Sequence, residues 1–170
     1  MDLQEFKSKV LPAKQKLYRL AVFMLRDKEE AEDILQDVFL KLWSGKHKLH
    51  AYTSIEAFAM TITKNLCLDK MKASWRKRTV DVTGLELHSG EATPYQHSEL
   101  ADSMSKVQSL LAALPEQQKL ILHLRDVEGC SFEEIEQITG LTVNNIRVHL
   151  SRARKSVRDG FLKLENYEVG

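Results

Sequence analysis

Glycine is scarce in this chain, with 7 among 170 residues, proline is scarcer at 3, and cysteine falls to 2. So few glycines cannot assemble a phosphate cradle locally, and neither GxGxxG nor GxxxxGK[ST] occurs; GxSxG and HExxH are missing as well. No seat for enzymatic chemistry is visible, and the chain reads as a non-enzyme without a cofactor. Cys67 and Cys130 stand alone inside apolar periodic segments, with no CxxC, which suits small buried thiols in a reducing compartment rather than a disulfide framework. The six histidines are scattered, and the one close pair, His47 and His50, has no Cys, Asp or Glu beside it, so no metal site is expected. Every apolar stretch is broken by charge well before the roughly 18 residues of a membrane span, and the start, MDLQEFKSKV, lacks the apolar core of a signal peptide. A cytoplasmic protein is expected.

What is present is enough apolar side chain to fold. At 43% hydrophobic and 29% charged, the chain can bury one ordinary core or two small ones of about 70 residues each. The net charge of +1 hides a segregation. From Phe58 to Val80 the cations Lys64, Lys70, Lys72, Arg76, Lys77 and Arg78 face Asp69 alone, and from Val143 to Gly160 the cations Arg147, Arg152, Arg154, Lys155 and Arg158 face Asp159 alone. Between the two islands, from Asp81 to Ser105, there are five acids and no Lys or Arg. Two separated cationic patches suit two lobes that each grip a polyanion; solvated helix faces are the plainer reading.

The acidic bridge also holds the turn formers Gly84, Ser89, Gly90, Thr93 and Pro94 without an apolar period. It reads as a linker over residues 80–100, between an N-terminal domain of residues 1–79 and a C-terminal domain of residues 101–170. All the periodicity is helical, so the fold class is all-α. In the first lobe Leu17, Leu20, Ala21 and Met24, then Ile34, Leu35, Val38, Phe39 and Leu42, mark two amphipathic helices. A third, entered after the capping residues Thr53 and Ser54, carries Ile55, Phe58, Ala59, Ile62, Leu66 and Met71.

The second lobe opens with a helix from about Ala101 to Ala113 and restarts with Pro115 at a first-turn position. That second helix carries Leu120, Ile121, Leu124 and Val127 and ends at Gly129. Ser131 to Glu134 then form a capping box, Phe132, Ile135 and Ile138 point inward, Gly140 stops the helix, and a basic helix follows Thr142. Short helix, glycine turn, basic helix is a helix-turn-helix pattern. On the last helix Ile146, Leu150, Ala153 and Val157 form the stripe for burial. Opposite them lie Asn144, Asn145, Val148, Arg152 and Lys155, flanked by Arg147 and Ser151: side chains that read base edges or hold phosphates in a major groove.

Three segments in order, AEDILQDVFLKLW, FAMTITKNLCLDKMK and the run from Leu114 to Arg158, resemble the hallmark stretches of bacterial sigma factors of the extracytoplasmic function (ECF) group. The resemblance covers almost the whole chain outside the linker. It implies an alternative sigma factor in two helical domains, which lends promoter recognition to core RNA polymerase and has no catalysis of its own. The partners it implies are the beta-prime coiled coil and beta flap of the polymerase, promoter DNA, and an anti-sigma factor able to hold the chain at the inner membrane; no stable homo-oligomer is expected.

Carried residue by residue, the resemblance places polymerase docking on Asp33, Gln36, Asp37, Leu40 and Lys41, while Leu35, Val38, Phe39 and Leu42 pack inside. The minus-ten element would meet Tyr52, Ser54, Lys64, Asn65, Asp69, Lys72 and Arg76. Among these Asn65 is the sharpest candidate, since an amide can donate to and accept from a base edge. Tyr52 is either a stacking surface or a packed aromatic, and Arg76, Lys77 and Arg78 serve phosphate contact or solubility. The minus-thirty-five element would meet Thr142, Asn144, Asn145, Arg147, Val148, Ser151, Arg152 and Lys155.

Departures fall on the reading face: Asn144-Asn145 stand where the family usually has Gly-Thr, Val148-His149 where Ser-Arg is common, and Phe58 where Trp is usual. The minus-thirty-five sequence therefore does not carry over from relatives. A stand-alone helix-turn-helix regulator would leave the first lobe without a purpose, and a helical adaptor for acidic partners would leave the arginine density of the last helix unexplained.

Overall fold

The structure is a computed structural model that describes residues 1–80 and 99–169. Their order is α1 (Leu3–Val10), a 3-10 turn (Leu11–Ala13), α2 (Lys14–Leu25), α3 (Lys28–Ser44), a 3-10 segment (Lys46–Ala51) and α4 (Ile55–Val80). After the undescribed residues come α5 (Glu99–Ala112), α6 (Glu116–Leu122), a π turn (His123–Val127), α7 (Phe132–Thr139) and α8 (Val143–Val169). The expected linker falls almost wholly outside the described residues. No strand occurs among those described, in keeping with the all-helical reading.

Local chemistry sets the boundaries. Asp2, Asp27 and Ser54 each accept the backbone N–H three residues on, at 2.8, 3.0 and 3.0 Å, and so start α1, α3 and α4. Arg26 closes α2 in the left-handed region at φ 56°, a place glycine usually takes, and its N–H returns to the Val22 carbonyl. Gly140, at φ +76°, ends α7, and the Thr142 side chain accepts from Asn145 N–H at 3.2 Å to start α8. Pro115 sits one residue before α6, at the cap with extended backbone, not in the first turn as its spacing suggested.

The described residues form two compact units, one of residues 1–80 with 133–141 and the other of residues 99–132 with 142–169. In the first, α2 packs against both α3 and α4. Val10, Leu17, Leu20, Ile34, Val38, Leu42, Leu49 and Met60 are buried there. The α4 register differs from the periodicity reading. Ala57, Ala59, Met60, Thr63 and Cys67 face inward, Ile62 and Leu66 are half-buried, and Met71 is exposed. Small side chains let neighbouring backbones come close, and the Thr63 hydroxyl is satisfied by donating to the Ala59 carbonyl at 2.8 Å. Burial pushes the Cys67 thiol up to about 12, so it packs as an inert apolar group.

In the second unit α6 and α5 pack along α8 over Ile121, Leu124, Ile146, Leu150 and Ala153. The π turn alters the expected α6 pattern. Glu128 N–H reaches back five residues to the His123 carbonyl, and this widened turn keeps Leu124 inside while Val127 faces solvent.

Candidate polymerase and promoter interfaces

Three surfaces gather most of the residues singled out by sequence. On α3 the positions 33, 36, 37, 40 and 41 recur at helical spacing, and Asp33, Gln36, Asp37, Leu40 and Lys41 are all exposed. Ile34, Leu35, Val38 and Leu42 hold the opposite face in the core, while Phe39 is half-buried. Leu40 is 64% exposed, an apolar group left at the centre of a charged face. Beside it a groove of about 450 Å³ runs between α2 and α3, lined by Lys14, Gln15, Tyr18, Glu32, Leu35, Gln36 and Phe39. The groove was not legible beforehand, because its lining comes from two helices. Gln36 belongs to both features.

The second surface begins before α4. Tyr52 stacks on Phe58 with ring centroids 3.9 Å apart and planes at 14°, while remaining partly exposed. Both earlier readings of Tyr52 therefore hold at once: one face is packed and the ring keeps an accessible side. Ser54 is committed as the cap of α4, accepting from Ala57 N–H. Along the helix Asn65, Asp69, Lys72 and Arg76 share one exposed face at steps of four, three and four. Lys64 departs from that set. It is half-buried, its Nζ donates to the Ile138 carbonyl at 2.6 Å, and desolvation lowers its pKa.

The third surface is the start of α8. Thr142, Asn144, Asn145, Arg147, Val148, Ser151, Arg152 and Lys155 are exposed, while Ile146, Leu150 and Ala153 are buried and Val157 half-buried. The angular reading of this helix thus matches its solvent pattern. Two residues missed by sequence reasoning organise its charge. The Phe132 ring lies under the guanidinium of Arg147 at 5.2 Å and that of Arg125 at 4.4 Å, so it is a half-buried platform rather than a core side chain. Arg125 also donates to the Cys130 carbonyl at 2.8 Å. Asp126 forms a two-pronged bridge with Arg154, which raises the Arg154 pKa through that hydrogen bond and removes its charge from the basic island. Arg147, Arg152 and Lys155 remain as the forward-facing cations.

Among the described residues no group of three or more His, Cys, Asp or Glu could hold a metal ion, and no helix is long and apolar enough to cross a membrane.

Comparison with known proteins separates the same two parts of the chain. Residues 11–77 match the family model "Sigma-70 region 2" and residues 104–157 match "Sigma-70, region 4". The "RNA polymerase sigma factor SigV" of Bacillus subtilis is 28% identical over 146 residues, 85% of this chain and 84% of that protein. The "ECF RNA polymerase sigma factor SigE" of Mycolicibacterium smegmatis is 27% identical over 150 residues. The chain belongs to the ECF group of the sigma-70 family.

This sigma factor spans different shares of its relatives: 58% of that SigE and 37% of "Probable RNA polymerase sigma factor RfaY" of Xanthomonas campestris, which is 29% identical to it. Its fold is shared with the sigma factor RpoE of Bartonella quintana, solved with the anti-sigma factor NepR, at TM-score 0.71 and 24% identity over 95% of this chain and 98% of that one. It is shared also with CnrH, solved with the cytosolic domain of CnrY, at TM-score 0.62 and 19% identity over 93% of this chain and 88% of that one. Sigma factors are initiation factors and not enzymes, which accords with the missing catalytic motifs.

Proposed function

We propose that this sigma factor binds core RNA polymerase through the α3 face, meets the opened minus-ten strand with the segment before α4 and the face of α4 itself, and reads the minus-thirty-five duplex with α8. The observation that carries the reading is the match of each exposed set to its own family region: the α3 and α4 faces lie within residues 11–77, the α8 face within 104–157. Asp33, Gln36, Asp37, Leu40 and Lys41 meet the beta-prime coiled coil, where an apolar group ringed by charge suits a specific contact. The second domain meets the beta flap. Tyr52 offers a ring to an unstacked base, Asn65 an amide to its edge, and Lys72 and Arg76 hold the strand's phosphates. Asn144, Asn145, Val148, Ser151 and Arg152 face the major groove, with Arg147 and Lys155 at its phosphate walls.

The protein acts in the cytoplasm as a single copy, held at the inner membrane by an anti-sigma factor until induction. Support for such a partner comes from the two structural relatives, both solved in complex with one.

Reconstitution with core polymerase tests the reading. The purified chain should produce promoter-dependent transcripts, and the double variant Asp33→Arg with Gln36→Ala should bind core more weakly by about 1 kcal/mol or more while keeping its helical circular dichroism. Duplex binding without any polymerase-dependent transcript would instead mark a stand-alone regulator.

A further inference from the structure

The C-terminal half of α4 carries an apolar stripe that the interior does not take. Leu68 and Met71 are 36% and 38% exposed, and Trp75 is 67% exposed. At about 100° per residue, with Leu68 at zero, Met71 falls near 300° and Trp75 near 340°, so the three form one stripe. Cations border it on both sides, with Lys72 and Arg76 at about 40° and 80° and Arg78 at about 280°. Asn65, near 60°, opens the same face, and the nearby acid Asp69 lies at about 100°, beyond Arg76.

An indole exposed to this extent on a helix is a large apolar surface without an interior role, and such surfaces mark contacts with another molecule. Charge selects which molecule. From Lys70 to Arg78 the chain has five cations and no acid. The matching partner is a polyanion that also presents flat apolar faces. Duplex DNA offers the phosphates but keeps its bases stacked inside, whereas a single strand offers both.

We propose that the stripe of Leu68, Met71 and Trp75 is a platform for single-stranded DNA, with an unpaired base stacked on the Trp75 indole and the flanking phosphates held by Lys72, Arg76 and Arg78. It extends the opened-strand contact about 15 Å along α4 from Asn65. The identity of the strand rests on the function proposed above; the stacking chemistry belongs to the helix itself.

The full chain, at low salt, is titrated with a dye-labelled oligothymidylate and with a duplex hairpin of equal phosphate count, while tryptophan emission is followed. The chain has two tryptophans, and Trp43 packs edge-on against Phe6 at 5.0 Å, so Trp75→Phe leaves Trp43 as the background signal. Single-strand binding should quench the wild-type emission, and the quench should vanish in Trp75→Phe, which keeps a ring and most of the affinity. Trp75→Ala should weaken single-strand binding about 5- to 150-fold, the loss of one stacked base, and leave hairpin binding within about twofold. Absence of single-strand binding, unquenched emission, undiminished affinity in Trp75→Ala or an equal loss on strand and hairpin overturns the proposal. So does an oligoglutamate that competes as well as the oligonucleotide and loses as much in Trp75→Ala. Failure to support transcription with core polymerase, with quenching and its Trp75 dependence intact, counts against the sigma assignment of α4 and leaves the platform standing.

Discussion

The two basic helices α4 and α8 have 26 and 27 residues and similar charge, but they bury themselves by different means. In α8 the inward stripe includes Ile146 and Leu150, large groups whose period of 3.6 is plain in the sequence. In α4 the inward set is Ala57, Ala59, Met60, Thr63 and Cys67, one large side chain among small ones. One helix fills space with volume, and the other lets its neighbours approach the backbone. The helices should therefore fail under opposite substitutions.

The largest expected effect is on α8. Ile146→Ala should destabilise the protein by about 2 to 4 kcal/mol, the transfer and cavity penalty for a fully buried aliphatic group, as read by urea denaturation. On α4 truncation has little left to remove, and enlargement does the damage: Ala59→Leu should destabilise by about 1 to 3 kcal/mol through overpacking. Near-neutral Ala59→Leu would show that α4 is not closely packed and would erase the contrast.

A smaller effect is expected where α8 meets DNA. Phe132→Leu keeps an apolar side chain but removes the ring under Arg147, so duplex binding should weaken about two- to fivefold, the worth of an exposed cation–π contact of roughly 0.5 to 1 kcal/mol. In an Arg147→Ala background the same change should add nothing; an undiminished loss there would make Phe132 merely structural. Smallest of all, Thr63→Val preserves shape and removes a hydroxyl satisfied within its own helix, so stability should move by less than about 1 kcal/mol. A larger loss on denaturation would mean that Thr63 holds more than its own turn.

The same contrast explains what could be read from the sequence. The α8 faces followed directly from its large apolar residues, and every residue placed on its reading face is exposed. The α3 docking face was legible for the same reason, since Ile34, Leu35, Val38 and Leu42 fix the register and leave the positions from Asp33 to Lys41 outside. The α4 register was not legible, because hydropathy gives little weight to Ala, Thr and Cys, and attention went to Ile62, Leu66 and Met71 instead. Nor was the outward turn of Val127, which depends on a π turn that shifts the helical phase without a sequence marker. The Phe132 platform and the Arg154–Asp126 bridge depend on contacts 15 and 28 residues apart, beyond the reach of local pattern. The Tyr52 stack on Phe58 was half visible: the aromatics were noted, but their parallel contact needed the backbone between them.

The division of labour between these helices is the central claim, and one paired measurement tests it: closed-complex binding beside permanganate footprinting of the bubble, on a promoter identified from a transcript map after overproduction. Arg152→Ala should weaken closed-complex binding by about 1 to 3 kcal/mol in a sequence-dependent way, with opening per bound complex unchanged. Asn65→Ala should leave closed-complex binding largely intact and reduce opening, with part of the lost transcription restored on a template already unpaired at the minus-ten region. If Asn65→Ala lowers closed-complex binding as much as Arg152→Ala and leaves opening per bound complex unchanged, α4 and α8 do not serve two different promoter elements.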